Sequence, residues 1–358
     1  MLDFWRFEIP ICHLFFGKLF KKGTNMPTAL VQGRIAVQFT HLLRDALDNS
    51  WKIHVWDPDK NDPVEFALMA YEADAIIGGN IPSDTWPKIP NLKLFQIPWT
   101  GYDFCSPETM PQDIPVCNCF EHESTIAEYV LAAMLELKIG LGEIDKRFRK
   151  DGWGGRPPGV SLYHGEIRGC TVGIVGYGHI GYEVAKRAKA FDMRVVGTRR
   201  TAQTTPELLD WLGTPDRLHD LLKESDFVVV ACDLNDVTEG MIGRQEFEVM
   251  KSDSFIINVA RGRVIEEEPL YNALKNGDIA GAAIDVWYNY IRPDGKDVWP
   301  SNLPFQDLEN VILSAHESAS APEQVERRWQ FVAENIKRAV KGEALENLVF
   351  IGKRTVGT

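Results

Sequence analysis

Short apolar runs alternate with helically spaced stretches along most of this chain. In the first half the runs are Ile35–Phe39, Ile53–Trp56, Ala75–Ile77 and Leu94–Ile97, with stretches such as Thr40–Asn49 between them. The second half repeats the pattern at Val172–Val175, Arg194–Gly197, Phe227–Ala231, Phe255–Val259, Ala282–Val286 and Val311–Ser314. Strands covered on both faces read as near-continuous apolar runs. Their alternation with helices predicts parallel sheets flanked by helices. The expected fold class is therefore α/β, with two doubly wound parallel-sheet domains.

Two longer helices frame the second set of strands. Thr125-Ile-Ala-Glu128 has the spacing of a capping box, Ile126, Tyr129, Val130, Ala133, Met134 and Leu137 follow at helical spacing, and Gly140 suits the stop. Pro322 suits the first turn of a second helix, with Val325, Trp329, Val332, Ile336 and Val340 on one face and Gly342 at its end. That helix is expected to return to the first domain. A Gly/Pro-rich stretch, Gly152–Gly159, leads into the second.

One strand-to-helix turn carries a ligand signature. After Val172–Val175, Gly176, Gly178 and Gly181 stand at G-x-G-x-x-G spacing, and helical periodicity resumes from Tyr182. The first glycine allows the tight turn, the second lets backbone approach a pyrophosphate, and the third lets helix pack closely on strand. Phosphates then sit on the unpaired N–H groups of the helix N-terminus. In this strand–turn–helix setting the motif reads as a dinucleotide site, with Gly176, Tyr177, Gly178, His179, Ile180 and Gly181 as its cradle. The first α/β unit has no such turn. Its loops Gly78-Gly79-Asn80 and Trp99-Thr100-Gly101 follow strands and are candidate ligand loops. The expected arrangement is a Rossmann-type cofactor domain, residues 122–318, inserted into a flavodoxin-like substrate domain, residues 26–121 and 319–358, with a cleft between them.

Residues 1–25 differ from the rest. They mix Phe4, Trp5, Phe7, Phe15, Phe16 and Phe20 with Lys18, Lys21 and Lys22, interrupted by Pro10 and Gly17. They lack the apolar core and cleavage site of a secretory signal. They read either as a basic aromatic tail or as sequence upstream of a true start at Met26; we favour the second, because the fold-like pattern begins after it. The formal net charge of −12 argues against nucleic acid or anionic membrane as a partner. No run approaches a membrane span. The six cysteines, at 12, 105, 117, 119, 170 and 232, form no metal-ligand pattern and read as reduced thiols, so a cytoplasmic protein without a metal is expected.

These residues resemble a family. Val172–Gly181, Asn258-Val-Ala-Arg-Gly262, Ala283-Ile-Asp-Val286 and the His316 segment are similar, in order, to the D-isomer-specific 2-hydroxyacid dehydrogenases, which include glyoxylate/hydroxypyruvate reductases, phosphoglycerate dehydrogenase and formate dehydrogenase. The likeness runs from about Ile76 to the C-terminus. It implies a homodimer that moves a hydride between NAD(P)H and a small 2-oxo or D-2-hydroxy acid. Such a reaction needs a cation to hold the carboxylate and polarise the carbonyl, an acid for the alkoxide, and a positioned nicotinamide. The resemblance puts Arg261 in the first role, with backbone N–H groups near Thr100 and Gly101 sharing the carboxylate. His316, whose pKa lies near working pH, takes the second. Val259, Ala260 and Asp285 line the cofactor, Asp285 matching the residue that contacts the nicotinamide amide.

Two positions depart from the family pattern. The usual glutamate five residues beyond that aspartate is Tyr290 here, and Asp233 stands where a proline is common. Formate dehydrogenases place a glutamine at the first of these positions. Without the carboxylate, His316 should be less basic, and Tyr290 becomes the candidate to orient it through its hydroxyl. At the end of Arg194–Gly197, where an NAD enzyme usually shows an acid about 20 residues after the motif, this chain has Thr198-Arg199-Arg200-Thr201. Two guanidiniums can pair with a 2′-phosphate, so NADP(H) is expected, with NAD(H) the alternative. The leading reading is a reductase of glyoxylate- or hydroxypyruvate-like acids. Formate-type hydride transfer without a proton step, and a non-catalytic dinucleotide-sensing dimer, are the alternatives.

Overall fold

The computed structural model describes residues 26–79, 81, 86–156, 163–201, 203–290 and 298–355. The extension 1–25, Asn80 and residues 157–159 of the Gly/Pro-rich stretch lie outside the described residues. The chain divides into two compact units, one taking the described residues up to Cys119 and from Trp329 on, the other Phe120–Arg328.

The first unit opens with β1 (Thr28–Gln32), α1 (Thr40–Ala46), β2 (Lys52–Trp56), α2 (Pro63–Glu72), β3 (Ala75–Gly78), β4 (Leu94–Gln96) and β5 (Pro115–Cys117). The second holds α3 (Glu123–Ile139), α4 (Leu141–Asp151), β6 (Thr171–Val175), α5 (His179–Ala190), β7 (Arg194–Thr198), β8 (Trp211–Gly213), α6 (Leu218–Glu224) and β9 (Phe227–Val230). It continues with α7 (Arg244–Val249), β10 (Phe255–Asn258), α8 (Glu267–Asn276), β11 (Gly281–Ile284) and β12 (Val311–Leu313). Last come α9 (Pro322–Lys341), within which the unit boundary falls, and β13 (Leu348–Ile351).

In the first unit the sheet order is β13-β5-β4-β3-β1-β2. The strands β1 to β5 are parallel and β13 joins antiparallel to β5. The order 2-1-3-4-5 is flavodoxin-like. Its core gathers Leu30, Phe66, Ile76, Phe95 and Val116, each large one contributing about 1.5–3 kcal/mol by leaving water. One expectation fails here: Ile35–Phe39 is not a strand. The first strand is β1, fully buried along its length. Gly33 then turns the chain at φ +89°, Ala36–Phe39 forms a 3₁₀ turn, and Ile35 is 59% exposed.

Among the described residues of the second unit, seven strands are parallel in the order β12-β11-β10-β9-β6-β7-β8. One face is covered by α3 and α5 through Ile126, Val130, Met134, Val184 and Ala188, the other by α6, α7 and α8 through Leu221, Phe247, Leu270 and Leu274. The strand order reverses between β6 and β9, and the carboxyl ends of strands at such a switch point are where this architecture places ligands. The capping box expected at Thr125 is absent: α3 starts at Glu123 after His122, which makes no side-chain cap. Ser124 and Glu128 both bond Arg187 of α5, and Glu128 Oε1 also accepts from Ser124 Oγ at 3.5 Å, so the Glu128 carboxylate meets a first-turn side chain and makes no bond to a cap backbone N–H. Gly140 does end α3, left-handed at φ +65°. The helix α4 directly after it, and the short strands β5, β8 and β13, were not anticipated from the pattern.

Candidate active site

At the carboxyl end of β6 the three motif glycines differ in what surrounds them. Gly176 has φ +99°, and a Cβ there would stand 2.6 Å from Cys232 N. Only glycine is accommodated. Its N–H and that of Tyr177 both donate to Thr198 O, at 3.0 and 2.7 Å, pinning the turn to β7. Over Gly178 the space is open for at least 4 Å, while a Cβ on Gly181 would lie 3.0 Å from Gly176 O and from Ile174 Cγ2. Gly178 supplies no side-chain cap to α5. The first-turn N–H groups of His179 and Ile180 therefore face the turn without intrahelical acceptors, at the positive end of the helix. The turn fits a dinucleotide pyrophosphate: a side chain at Gly178 would fill the room it needs.

Arg199 and Arg200 follow β7. The Arg199 N–H donates to Gly213 O at 3.0 Å, its guanidinium bonds Gln203, and Arg200 is exposed. Val259 and Ala260 follow β10 and are buried, with Val259 N–H donating to Val230 O at 3.2 Å.

The proposed reaction residues sit past the ends of β10, β11 and β12. The buried Asn258 shapes the first of these loops: its Nδ2 donates to Arg261 O at 3.1 Å and its Oδ1 accepts from Ala260 N at 3.1 Å. Arg261 is extended there (φ −144°), and its Nη1 donates to Ala260 O at 2.8 Å. The next residue must be glycine, since a Cβ on Gly262 would meet Trp287 O at 2.3 Å. After β11, the Tyr290 hydroxyl lies 3.0 Å from His316 Nδ1 and accepts from Trp287 N–H at 3.3 Å. His316 itself is left-handed at φ +59°, a conformation uncommon for a residue with a Cβ.

Asp285 is fully buried, and its carboxylate accepts from Ser314 Oγ (2.6 Å), Glu317 N (2.7 Å) and Ser318 N (3.0 Å). Arg261, Asp285, Tyr290 and His316 share one electrostatic neighbourhood. Desolvation, more than any charge, holds His316 below the ordinary histidine range; Asp285 raises it in opposition and Arg261 lowers it further. The direction is the one expected without the glutamate, but the main cause is partial desolvation of a side chain whose residue remains exposed at the surface. Partial desolvation likewise pushes the Tyr290 hydroxyl up although the residue is 49% exposed, so it stays protonated at neutral pH.

Thr100 and Gly101 belong to the first unit. Their loop is tied to the end of β5: Asn118 Nδ2 donates to Thr100 O at 2.8 Å, Thr100 Oγ1 to Cys119 O at 2.9 Å, and Cys119 N to Trp99 O at 3.1 Å.

Several residues with a part in this geometry had no assigned role in the sequence reading: Asn258, Ser314, Tyr129 and His122. Asn258 and Ser314 lie in the family-like segments and Tyr129 on the apolar stripe of α3, but the partners that give Ser314, Tyr129 and His122 a role are distant in sequence. His122 is 9% exposed, and its pKa is pushed down to about 4, first by desolvation, then by Arg328, with Arg261 and His179 adding to the effect. The folded state thus resists a proton that the unfolded chain accepts near pH 6.5. Stability should be complete above pH 6.5 and fall by about 3 kcal/mol as pH drops toward 4. Denaturant titrations at stepped pH on the parent and on His122→Asn check this; equal slopes in that window would refute it.

The profile of the D-isomer specific 2-hydroxyacid dehydrogenase NAD binding domain matches residues 131–318. A D-3-phosphoglycerate dehydrogenase from Methanocaldococcus jannaschii is 32% identical over 78% of this chain, which spans about half (52%) of that relative's length. A glyoxylate reductase from Thermococcus gammatolerans is 32% identical over 85% of this chain and 91% of its own. A 2-hydroxyacid dehydrogenase structure from Ketogulonicigenium vulgare superposes with a TM-score of 0.75 at 24% identity, covering 92% of this chain and all of the other. Among the described residues, no helix is long and apolar enough to cross a membrane. With the glycine turn on β6 and this match over more than half its length, the chain belongs to the D-isomer-specific 2-hydroxyacid dehydrogenase family, oxidoreductases that move a hydride between a nicotinamide dinucleotide and a small 2-oxo or 2-hydroxy acid.

Proposed function

We propose that this protein is an NADP(H)-preferring reductase of small 2-oxo acids of the glyoxylate and hydroxypyruvate kind, working as a homodimer. The observation that carries the reading is the pairing of the Tyr290 hydroxyl with His316 Nδ1 at 3.0 Å, in the electrostatic neighbourhood of Arg261. The bound nicotinamide supplies the hydride. Arg261 holds the substrate carboxylate and polarises the carbonyl with a planar fork of donors. Thr100 and Gly101 are proposed as further substrate-binding residues, and Val259, Ala260 and Asp285 as cofactor-lining ones.

His316 supplies the proton, and its two nitrogens have separate tasks. The Tyr290 oxygen accepts from Trp287 N–H and keeps a second lone pair, and we assign that lone pair to Nδ1–H of His316. Nδ1 then keeps its proton throughout, and Nε2 is the atom from which a proton moves to the forming alkoxide. A tyrosine in place of a carboxylate still orients the ring, but stabilises the imidazolium less.

The absence of an acid after β7 and the presence of Arg199 and Arg200 support NADP(H). The dimer is supported by α4: none of its residues is buried, and Leu141 and Phe148 are 64% and 55% exposed, with Trp153 packed edge-on against Phe148. An apolar stripe of that size on a lone surface helix is a common mark of an interface.

The deciding assay is oxidation of NADPH and NADH by the purified protein against a panel of 2-oxo acids, with formate oxidation as a control. Turnover of a 2-oxo acid with NADPH ahead of NADH is expected. Cofactor binding without turnover would replace the proposal by a sensing role. Replacing Arg199 and Arg200 together by serine should raise KM for NADPH about 10- to 100-fold, the loss of one or two hydrogen bonds to a charged phosphate, and leave KM for NADH within about threefold. An equal change for both cofactors would remove the 2′-phosphate assignment.

A further inference from the structure

We propose that Tyr129, on α3, is a positioning residue for the His316 proton donor and acts through Ser314 and Asp285; the inference rests on the reading of His316 just given. The Tyr129 hydroxyl lies 2.7 Å from Ser314 Oγ, across 185 residues of sequence. Ser314 Oγ donates to Asp285 Oδ1 at 2.6 Å, so it accepts from the tyrosine. The result is a directed chain, Tyr129 O–H to Ser314 to the Asp285 carboxylate. That carboxylate also accepts the N–H groups of Glu317 and Ser318, immediately past His316. On the other side, Trp287 Nε1–H donates to Ser314 O at 2.8 Å.

His316 is thus clamped on both flanks, two residues before it by Tyr129 and Trp287 and one and two residues after it by Asp285. Left to itself, a histidine would leave the left-handed region it occupies at φ +59°. Such conformations persist where surrounding contacts over-determine them, and they gather at functional sites. The clamp is also electrostatic. Among the described residues, the charged and titratable groups facing His316 are Asp285, Arg261 and Tyr290, and those facing Tyr129 are Asp285 and Glu317. Asp285 is the carboxylate that raises the proton affinity of His316, in a site that lacks the glutamate at position 290. Donors on that carboxylate set how much of its charge the imidazole feels.

The test is kinetic. Tyr129→Phe keeps the ring that packs in the core and removes only the hydroxyl; it should lower kcat for 2-oxo acid reduction about 3- to 10-fold, with both KM values within about twofold. Ser314→Ala, which removes a donor to a carboxylate, should lower kcat about 10- to 100-fold, and Ser314→Thr should restore it. In both losing variants Asp285 is less neutralised, so the pH above which reduction fails should move upward. The double variant should cost little more than Ser314→Ala alone, because the two hydroxyls act in series. A purely structural role would lower thermal stability, leave the pH limb in place and give additive costs. If Tyr129→Phe matches the parent in kcat and pH limb while His316→Ala has lost turnover, this inference falls and the proton-donor reading stands. If His316→Ala keeps full turnover, both fall.

Discussion

Replacement of Arg261 by alanine should cut kcat/KM for 2-oxo acid reduction about 10³- to 10⁴-fold, while NADPH binding stays within about twofold of the parent. The size follows from what the guanidinium is asked to do. It offers parallel N–H donors to a carboxylate and a positive charge beside a carbonyl oxygen that becomes an alkoxide, and donors aimed at developing charge are each worth about 2.7–4 kcal/mol. The loop is prepared for this before substrate arrives. Asn258 clamps the backbone on either side of the arginine, and Gly262 allows Trp287 to pack against it. Arg261→Lys should recover only part of the loss, because a point charge does not reproduce the fork. Steady-state kinetics with a fluorescence titration of NADPH decide the matter. A change confined to KM would mean that Arg261 binds the substrate without polarising it.

His316→Asn should lower kcat by about 10²–10⁴, the usual worth of a positioned general acid, and should also abolish the pH limb that the parent shows. The sign of that limb follows from the site. Reduction consumes a proton from imidazolium, and His316 is held below the ordinary histidine value by desolvation and by Arg261, against the opposing pull of Asp285. The reductive rate of the parent should therefore be highest on the acid side and decline as pH rises through a pKa below about 6.5. Oxidation of the hydroxy acid needs neutral imidazole and should run undiminished at neutral pH. Tyr290→Glu should move the reductive limb upward by about one unit or more, since a carboxylate within hydrogen-bond reach of Nδ1 favours the charged ring. A reductive profile that stays flat from pH 5 to 8 in the parent would argue that the proton comes from elsewhere.

The pattern of the chain reported the second unit well and the first less well, for physical reasons visible in particular residues. Parallel strands buried on both faces, such as Val172–Val175 and Phe227–Val230, leave continuous apolar runs, and the glycines of the β6 turn are required by local backbone geometry and close packing. Both signals survive in one dimension. The strand Thr28–Gln32 escaped because the apolar run Ile35–Phe39 beyond Gly33 looked equally strand-like, and only packing shows which of the two is covered. The short strands β5, β8 and β13, each of three or four residues, exist because a neighbouring strand offers its open edge, which no local pattern records.

By itself the sequence determined the α/β alternation and the dinucleotide turn at Gly176–Gly181, because each depends on residue type at short spacing, and its resemblance to the family singled out Arg261, His316 and Tyr290 as candidates. Tertiary structure alone decided what those candidates touch. It put the Tyr290 hydroxyl on His316 Nδ1, turned His316 left-handed, and buried Asp285 under three donors. It also brought Tyr129 to Ser314 from 185 residues away. Hydrogen bonds and desolvation act over a few ångströms of space whatever the separation along the chain, so the proton affinity of His316 is a property of the fold.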